Sequence, residues 1–62
     1  MLTPTTAIDY ITGLFGPLDI LDVELQYTED GGPIMVVHID EGDYIGHAEV
    51  WTLPDGTLYG EY

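Results

Sequence analysis

The sequence predicts an α+β domain in which an N-terminal helix packs on a four-stranded antiparallel β-meander. Two observations carry that expectation. Apolar residues recur at helical spacing up to Gly16-Pro17 and at a period of two beyond it. Three short turn signals then divide the rest of the chain into four strand-length segments, and connections that short join neighbouring antiparallel strands.

The helix is expected over residues 4–15. Thr3 caps it, and Pro4 suits the first helical position, where its missing N–H goes unused. Ala7, Ile8, Ile11, Leu14 and Phe15 fall on one apolar stripe. Gly16-Pro17 is a stop signal, with glycine for a left-handed cap and proline just past it.

Strands are expected over about 20–28, 33–40, 43–53 and 57–62. In the first, Leu21, Val23, Leu25 and Tyr27 alternate with Asp22, Glu24 and Gln26. Leu18 and Ile20 have the opposite parity, which places a bulge near Ile20-Leu21. Glu29-Asp30-Gly31 and Pro54-Asp55-Gly56 read as three-residue hairpin loops, and Asp40-Glu41-Gly42-Asp43 as a tighter turn.

Counting back from these loops gives a register. Tyr27 faces Pro33, Leu25 faces Met35 and Val23 faces Val37. Across a turn centred on Glu41-Gly42, Ile39 faces Tyr44, Val37 faces Gly46 and Met35 faces Ala48. Thr52 faces Leu58 and Val50 faces Gly60. One face then carries Leu21, Val23, Leu25, Met35, Val37, Ile39, Ala48, Val50 and Leu58 for the helix to cover, with Gly46 and Ala48 leaving room for its close approach. The opposite face collects Asp22, Glu24, His38, Glu49, Trp51, Tyr59 and Glu61, and no second helix is available to cover it.

Composition narrows the function. The 62 residues make one domain, near the lower size limit for folding without a disulfide or metal. There is no cysteine, hence no disulfide framework or thiolate metal site. No apolar run approaches the roughly 20 residues of a membrane span. The first residues lack the basic start of a signal or transit peptide, which predicts a cytoplasmic protein. Apolar residues at 45% separate the chain from disordered acidic tails.

The decisive feature is charge. Twelve Asp and Glu stand against no Lys and no Arg, a formal charge of −12. Such one-sidedness repels nucleic acid and anionic membranes, and it speeds encounter with cationic proteins. Moderate net charge already suffices for solubility, so solubility alone does not account for the loss of every basic residue.

The candidate partner-binding residues are therefore Asp22, Glu24, Asp40, Asp43, Glu49 and Glu61, with Trp51 and Tyr59 as apolar anchors. The same aromatic patch is also open to a weak homodimer or to plain cross-strand packing. Residues two apart on a strand face lie about 6.6–6.8 Å apart. Phosphates along a DNA strand are spaced broadly alike, each adding about 3.4 Å of rise along a winding path. His38 and His47 read as diagonal neighbours balanced by acids, with no recognised metal-ligand spacing, so no metal and no cofactor is expected. Asp40-Glu41-Gly42-Asp43 lacks the alternating ligands of a calcium loop. With no Cys, Ser, Lys or Arg, and little room for an enclosed pocket, no enzyme is expected.

Short length, absence of cysteine and acid-studded strands such as Asp19-Ile20-Leu21-Asp22-Val23-Glu24 and His38-Ile39-Asp40-Glu41-Gly42-Asp43 resemble the small acidic inhibitors that phages and mobile elements direct against host defence. Some of these are DNA mimics, several anti-CRISPR proteins among them. The resemblance implies a basic protein or ribonucleoprotein of a bacterial host as partner. A type I CRISPR surveillance complex fits, because its DNA-loading surface is basic. Three other readings stay open: an immunity protein against a basic nuclease toxin, a small structural subunit, and a halophilic acidic domain.

Overall fold

The computed structural model describes residues 2–62. It has one helix, α1 (Pro4–Phe15), followed by strands β1 (Ile20–Tyr27), β2 (Pro33–Asp40), β3 (Ile45–Thr52) and β4 (Leu58–Glu61). The strands form one antiparallel sheet in the order β1-β2-β3-β4, the expected meander.

Helix α1 starts on a reciprocal threonine cap. The Thr6 N–H donates to the Thr3 hydroxyl at 3.2 Å, and the Thr3 N–H donates to the Thr6 hydroxyl at 2.8 Å. Two of the free amides at the helix start are thereby satisfied without any charge. The helix ends where the Gly16 N–H donates to the Thr12 carbonyl at 2.9 Å. Gly16 has φ 87° but ψ −173°, so it is not the left-handed cap expected; it sits in an extended region open essentially to glycine alone.

The core is one cluster of Ala7 and Ile11 from the helix with Met35, Val37, Ile39, Ala48 and Val50 from the two central strands. Leu2, Tyr10, Leu18, Ile20, Val23 and Leu58 pack around it. Full burial of a Val or Ile side chain contributes about 1.5–3 kcal/mol, so most of the stability rests on these few side chains.

The structure departs from the expected core at several places. The bulge falls between Ile20 and Asp22, so Ile20 pairs with Ile39 and packs on the core while Leu21 is the extra, exposed residue. Leu25 opposes Met35 as expected, yet it is 49% exposed. In the same transverse row Met35 and Val50 are buried and Gly60 meets Tyr10 and Ile11, so α1 covers the other three strands there and leaves the edge strand β1 bare at Leu25. Leu14 and Phe15, at the end of the helical stripe, are also exposed. The Phe15 ring meets Tyr62 edge-on, with centroids 5.3 Å apart.

The β2–β3 register differs from the expected one by two residues. Ile39 pairs with Gly46, Val37 with Ala48 and Met35 with Val50. The turn centres on Gly42-Asp43, where the Glu41 N–H donates to the Tyr44 carbonyl at 3.0 Å. Glycine at the first central position supplies the required positive φ, 98° here. A turn centred on Glu41-Gly42 would have forced that conformation on glutamate. Asp40 secures the choice by accepting the Gly42 N–H at 2.9 Å. A shift of two keeps every side chain on its expected face.

The close approach of helix to sheet is made by Gly60 rather than Gly46. A Cβ on Gly60 would lie 3.0 Å from the Tyr10 ring and 3.1 Å from Ile11 Cδ1. At Gly46 the nearest atom is the end of the flexible Glu41 side chain, at 2.9 Å, which can swing aside. Gly60→Ala is expected to destabilise the fold by about 1–3 kcal/mol through overpacking. Gly46→Ala stays within about 1 kcal/mol of the parent, because alanine also relieves the entropic cost of a strand glycine. Urea unfolding of both variants checks this, and equal costs would mean that helix and sheet separate freely at Gly60.

Candidate functional site

The sheet face away from α1 has no covering layer among the described residues. The register arranges it in transverse rows. Gln26, Ile34, Trp51 and Tyr59 form one row, Glu24, Val36, Glu49 and Glu61 the next, and Asp22, His38 and His47 a third. Asp40 and Ile45 close the far end.

The structure thus brings Asp22, Glu24, Glu49, Glu61, Trp51 and Tyr59 onto one surface of three adjacent rows. Glu49 and Glu61 are direct cross-strand partners. Two carboxylates about 5 Å apart repel by roughly 1 kcal/mol in water-like surroundings and more near a low-dielectric surface. No Lys or Arg offsets this. Beside Asp22 and Glu24 stands His38, whose Nε2 lies 3.8 Å from Asp22 Oδ1 and 4.0 Å from Glu24 Oε1. Gln26 also donates to Glu24. His38 and His47 stand directly opposite each other, not diagonally, because of the two-residue register shift. No group of three or more acid and histidine side chains among the described residues is placed to hold a metal ion.

Asp40 and Asp43 lie apart from this cluster. Asp40 is at the end of β2 with its carboxylate turned to the Gly42 amide, and Asp43 is in the turn beyond. Tyr62 and Glu41 belong to the opposite, helix side. There the Tyr62 hydroxyl donates to the Glu41 carboxylate, and that bond pushes the Tyr62 pKa up to about 12.

The apolar part of the face is better built than alternation alone implies. Val36 is buried although no element covers it, so its shielding comes from side chains of its own face. Trp51 packs on Tyr59 with ring centroids 4.9 Å apart and planes tilted by 52°. Toward β2 and the β1–β2 turn, Trp51 lines a groove of about 430 Å³ with Ile34, Pro33, Glu49, Asp30 and Thr28. Ile34 was legible on this face from its parity. Asp30 reads in the sequence only as a turn residue, and nothing local signals that the turn folds beside Trp51.

That turn is held by its own side chains. The Thr28 hydroxyl donates to the Asp30 carboxylate, and the Gly32 N–H donates to the Thr28 hydroxyl at 3.0 Å. The first bond is the main reason the Asp30 pKa lies below its ordinary value. Asp55 is lowered in the same way by Thr57.

No protein family matches this chain. No curated protein and no solved structure gives a match to it either. The face must be interpreted from its own chemistry. No helix among the described residues is long and apolar enough to cross a membrane.

Two outcomes are expected. Because like charges crowd this face without counter-ions, stability rises with salt from low ionic strength to about 0.5 M. A gain of about 1 kcal/mol corresponds to roughly 4–8 °C in a domain this small. A salt-independent Tm would show that the repulsion is negligible. Thr28→Val returns the Asp30 pKa upward toward its ordinary 3.8, as read by NMR titration of the side-chain carboxyl. Because the folded pKa is depressed, Asp30 stabilises the turn above its unfolded pKa, and that contribution is lost as pH falls through the folded value.

Proposed function

We propose that this protein is an acidic inhibitor that occupies the basic DNA-binding surface of a host defence complex and excludes DNA by charge mimicry. A type I CRISPR-like effector is the target class that fits best. The observation that carries the reading is the uncovered sheet face, where Asp22, Glu24, Glu49 and Glu61 lie in rows beside an apolar row on a chain with twelve acids and no Lys or Arg.

Two physical arguments support it. A rigid sheet fixes the carboxylates at strand spacings, about 4.8 Å across and 6.7 Å along, so a cationic surface meets an ordered array of charge. An array of that kind displaces the counter-ions of a basic groove much as DNA phosphates do, which makes binding strongly salt-dependent. The adjoining row of Ile34, Trp51 and Tyr59 supplies apolar contact, which slows dissociation in a way charge alone does not. The reading assigns no catalytic step and no direct contact with nucleic acid. Asp40 and Asp43 add to the summed field from the far end of the face.

Competition between the protein and labelled target duplex for a purified effector complex tests the reading. DNA binding is expected to fall as the protein is added, and the inhibition to weaken steeply with salt. Single changes away from the Trp51 groove, such as Glu24→Gln, lower affinity only slightly, because those acids act through encounter rate and summed field. Joint reversal of Asp22, Glu24, Glu49 and Glu61 to lysine abolishes inhibition. A complex that forms while DNA binds with unchanged affinity rules out mimicry. Binding to a basic nuclease toxin, with none to the effector, moves the protein to the immunity class.

A further inference from the structure

We propose that the groove beside Trp51 receives an arginine side chain of the basic partner. This rests on reading the open face as a contact for a cationic protein, whichever complex that protein belongs to.

The groove has the parts an arginine needs and few that suit other side chains. Pro33, Ile34 and Trp51 make an apolar lining for the aliphatic stem. Trp51 is among the residues that line the groove, and an indole is the ring on which a planar guanidinium stacks best. Glu49, on β3, and Asp30, in the β1–β2 turn, bring carboxylates to the same groove from two different elements. A guanidinium can stack on the indole and donate paired hydrogen bonds to a carboxylate at once. Lysine, a compact and strongly hydrated point charge, gains the field but not the stacking or the fork geometry.

The groove cannot be filled from within, because the chain has no arginine or lysine of its own. Asp30 is also held in place to serve as an acceptor. Thr28 and Gly32 fix the turn around it, and the Thr28 hydroxyl favours its ionised form. Tyr59 packs on Trp51 and is not among the groove residues, so it braces the indole without blocking the site.

The test compares two probes of equal charge, nona-arginine and nona-lysine, titrated into the intact protein at fixed ionic strength. Trp51 is the sole tryptophan, so its fluorescence reports on the groove directly. Nona-arginine is expected to bind about tenfold more tightly than nona-lysine and to change the tryptophan emission. Nona-lysine is expected to bind through the field and leave the emission nearly unaltered. Calorimetry then follows Trp51→Leu and Glu49→Gln, each of which brings the arginine affinity down to that of lysine. Glu49→Gln keeps side-chain size, so it carries the test if Trp51→Leu folds poorly. Equal affinities for the two peptides overturn the arginine site and leave the acidic-face reading standing. A preference for arginine that survives both substitutions places the contact elsewhere and also overturns it. Failure of both peptides to bind removes the site and the reading together.

Discussion

Electrostatic repulsion without an internal counter-charge is the constraint to which the rest of this structure answers. At −12 with no Lys or Arg, the chain has no salt bridge from a fixed cation with which to gain stability. Burying an unpaired carboxylate is expensive, and among the described residues no polar or charged residue is buried. Every acid is therefore held at the surface. The folded state depends on a small apolar core, a helix cap made of two threonines, and well-formed turns.

The turns show how the acids are used. Asp30, Asp40 and Asp55 each accept local hydrogen bonds from an amide or hydroxyl within two residues. Partial positive charge on N–H and O–H groups thus takes the place of the missing cations. The hairpins closed this way set the strand register, and the register sets the rows of the open face. The carboxylates that build turns and those that face outward have different tasks. Asp40 belongs mainly to the first group, Asp30 serves both, and Asp22, Glu24, Glu49 and Glu61 belong to the second.

One helix cannot cover two faces of a sheet. The packed side is completed by small residues, Ala7 and Ala48, and by Gly60 under Tyr10 and Ile11. The other side keeps Trp51, Tyr59, Val36 and Ile34 among carboxylates. That mixture separates two physical roles. In the proposed function, long-range charge would govern how often a cationic partner arrives, and short-range apolar and aromatic contact how long it stays. The proposed arginine site would give the same face a selectivity that net charge cannot provide.

The helix limits, the four strands, the bulge near Ile20 and two of the three hairpin registers are all encoded locally. Each depends on a period change or on a glycine that must take positive φ, and such signals lie within a few residues of the place they act. The assignment of side chains to faces followed from strand parity and survived even where the β2–β3 register shifted. What needed the tertiary structure was everything decided by distance between elements. The centre of the Gly42-Asp43 turn is by contrast a local choice, set by which residue bears the positive φ, and it brings His38 and His47 into direct opposition. The exposure of Leu25 followed from a helix that packs on β2, β3 and β4 in that row and leaves the edge strand uncovered, and Leu14 and Phe15 end the helix outside the buried core. The groove exists because the Thr28–Gly32 turn and Trp51, far apart in sequence, are adjacent across paired strands, and no periodicity in the chain records that adjacency. The sequence by itself determined that the protein is a folded, wholly acidic α+β domain with one wet face. Only the tertiary structure decided that the Thr28–Gly32 turn, with Asp30, stands beside Trp51, because that depends on reach between elements rather than on residue type.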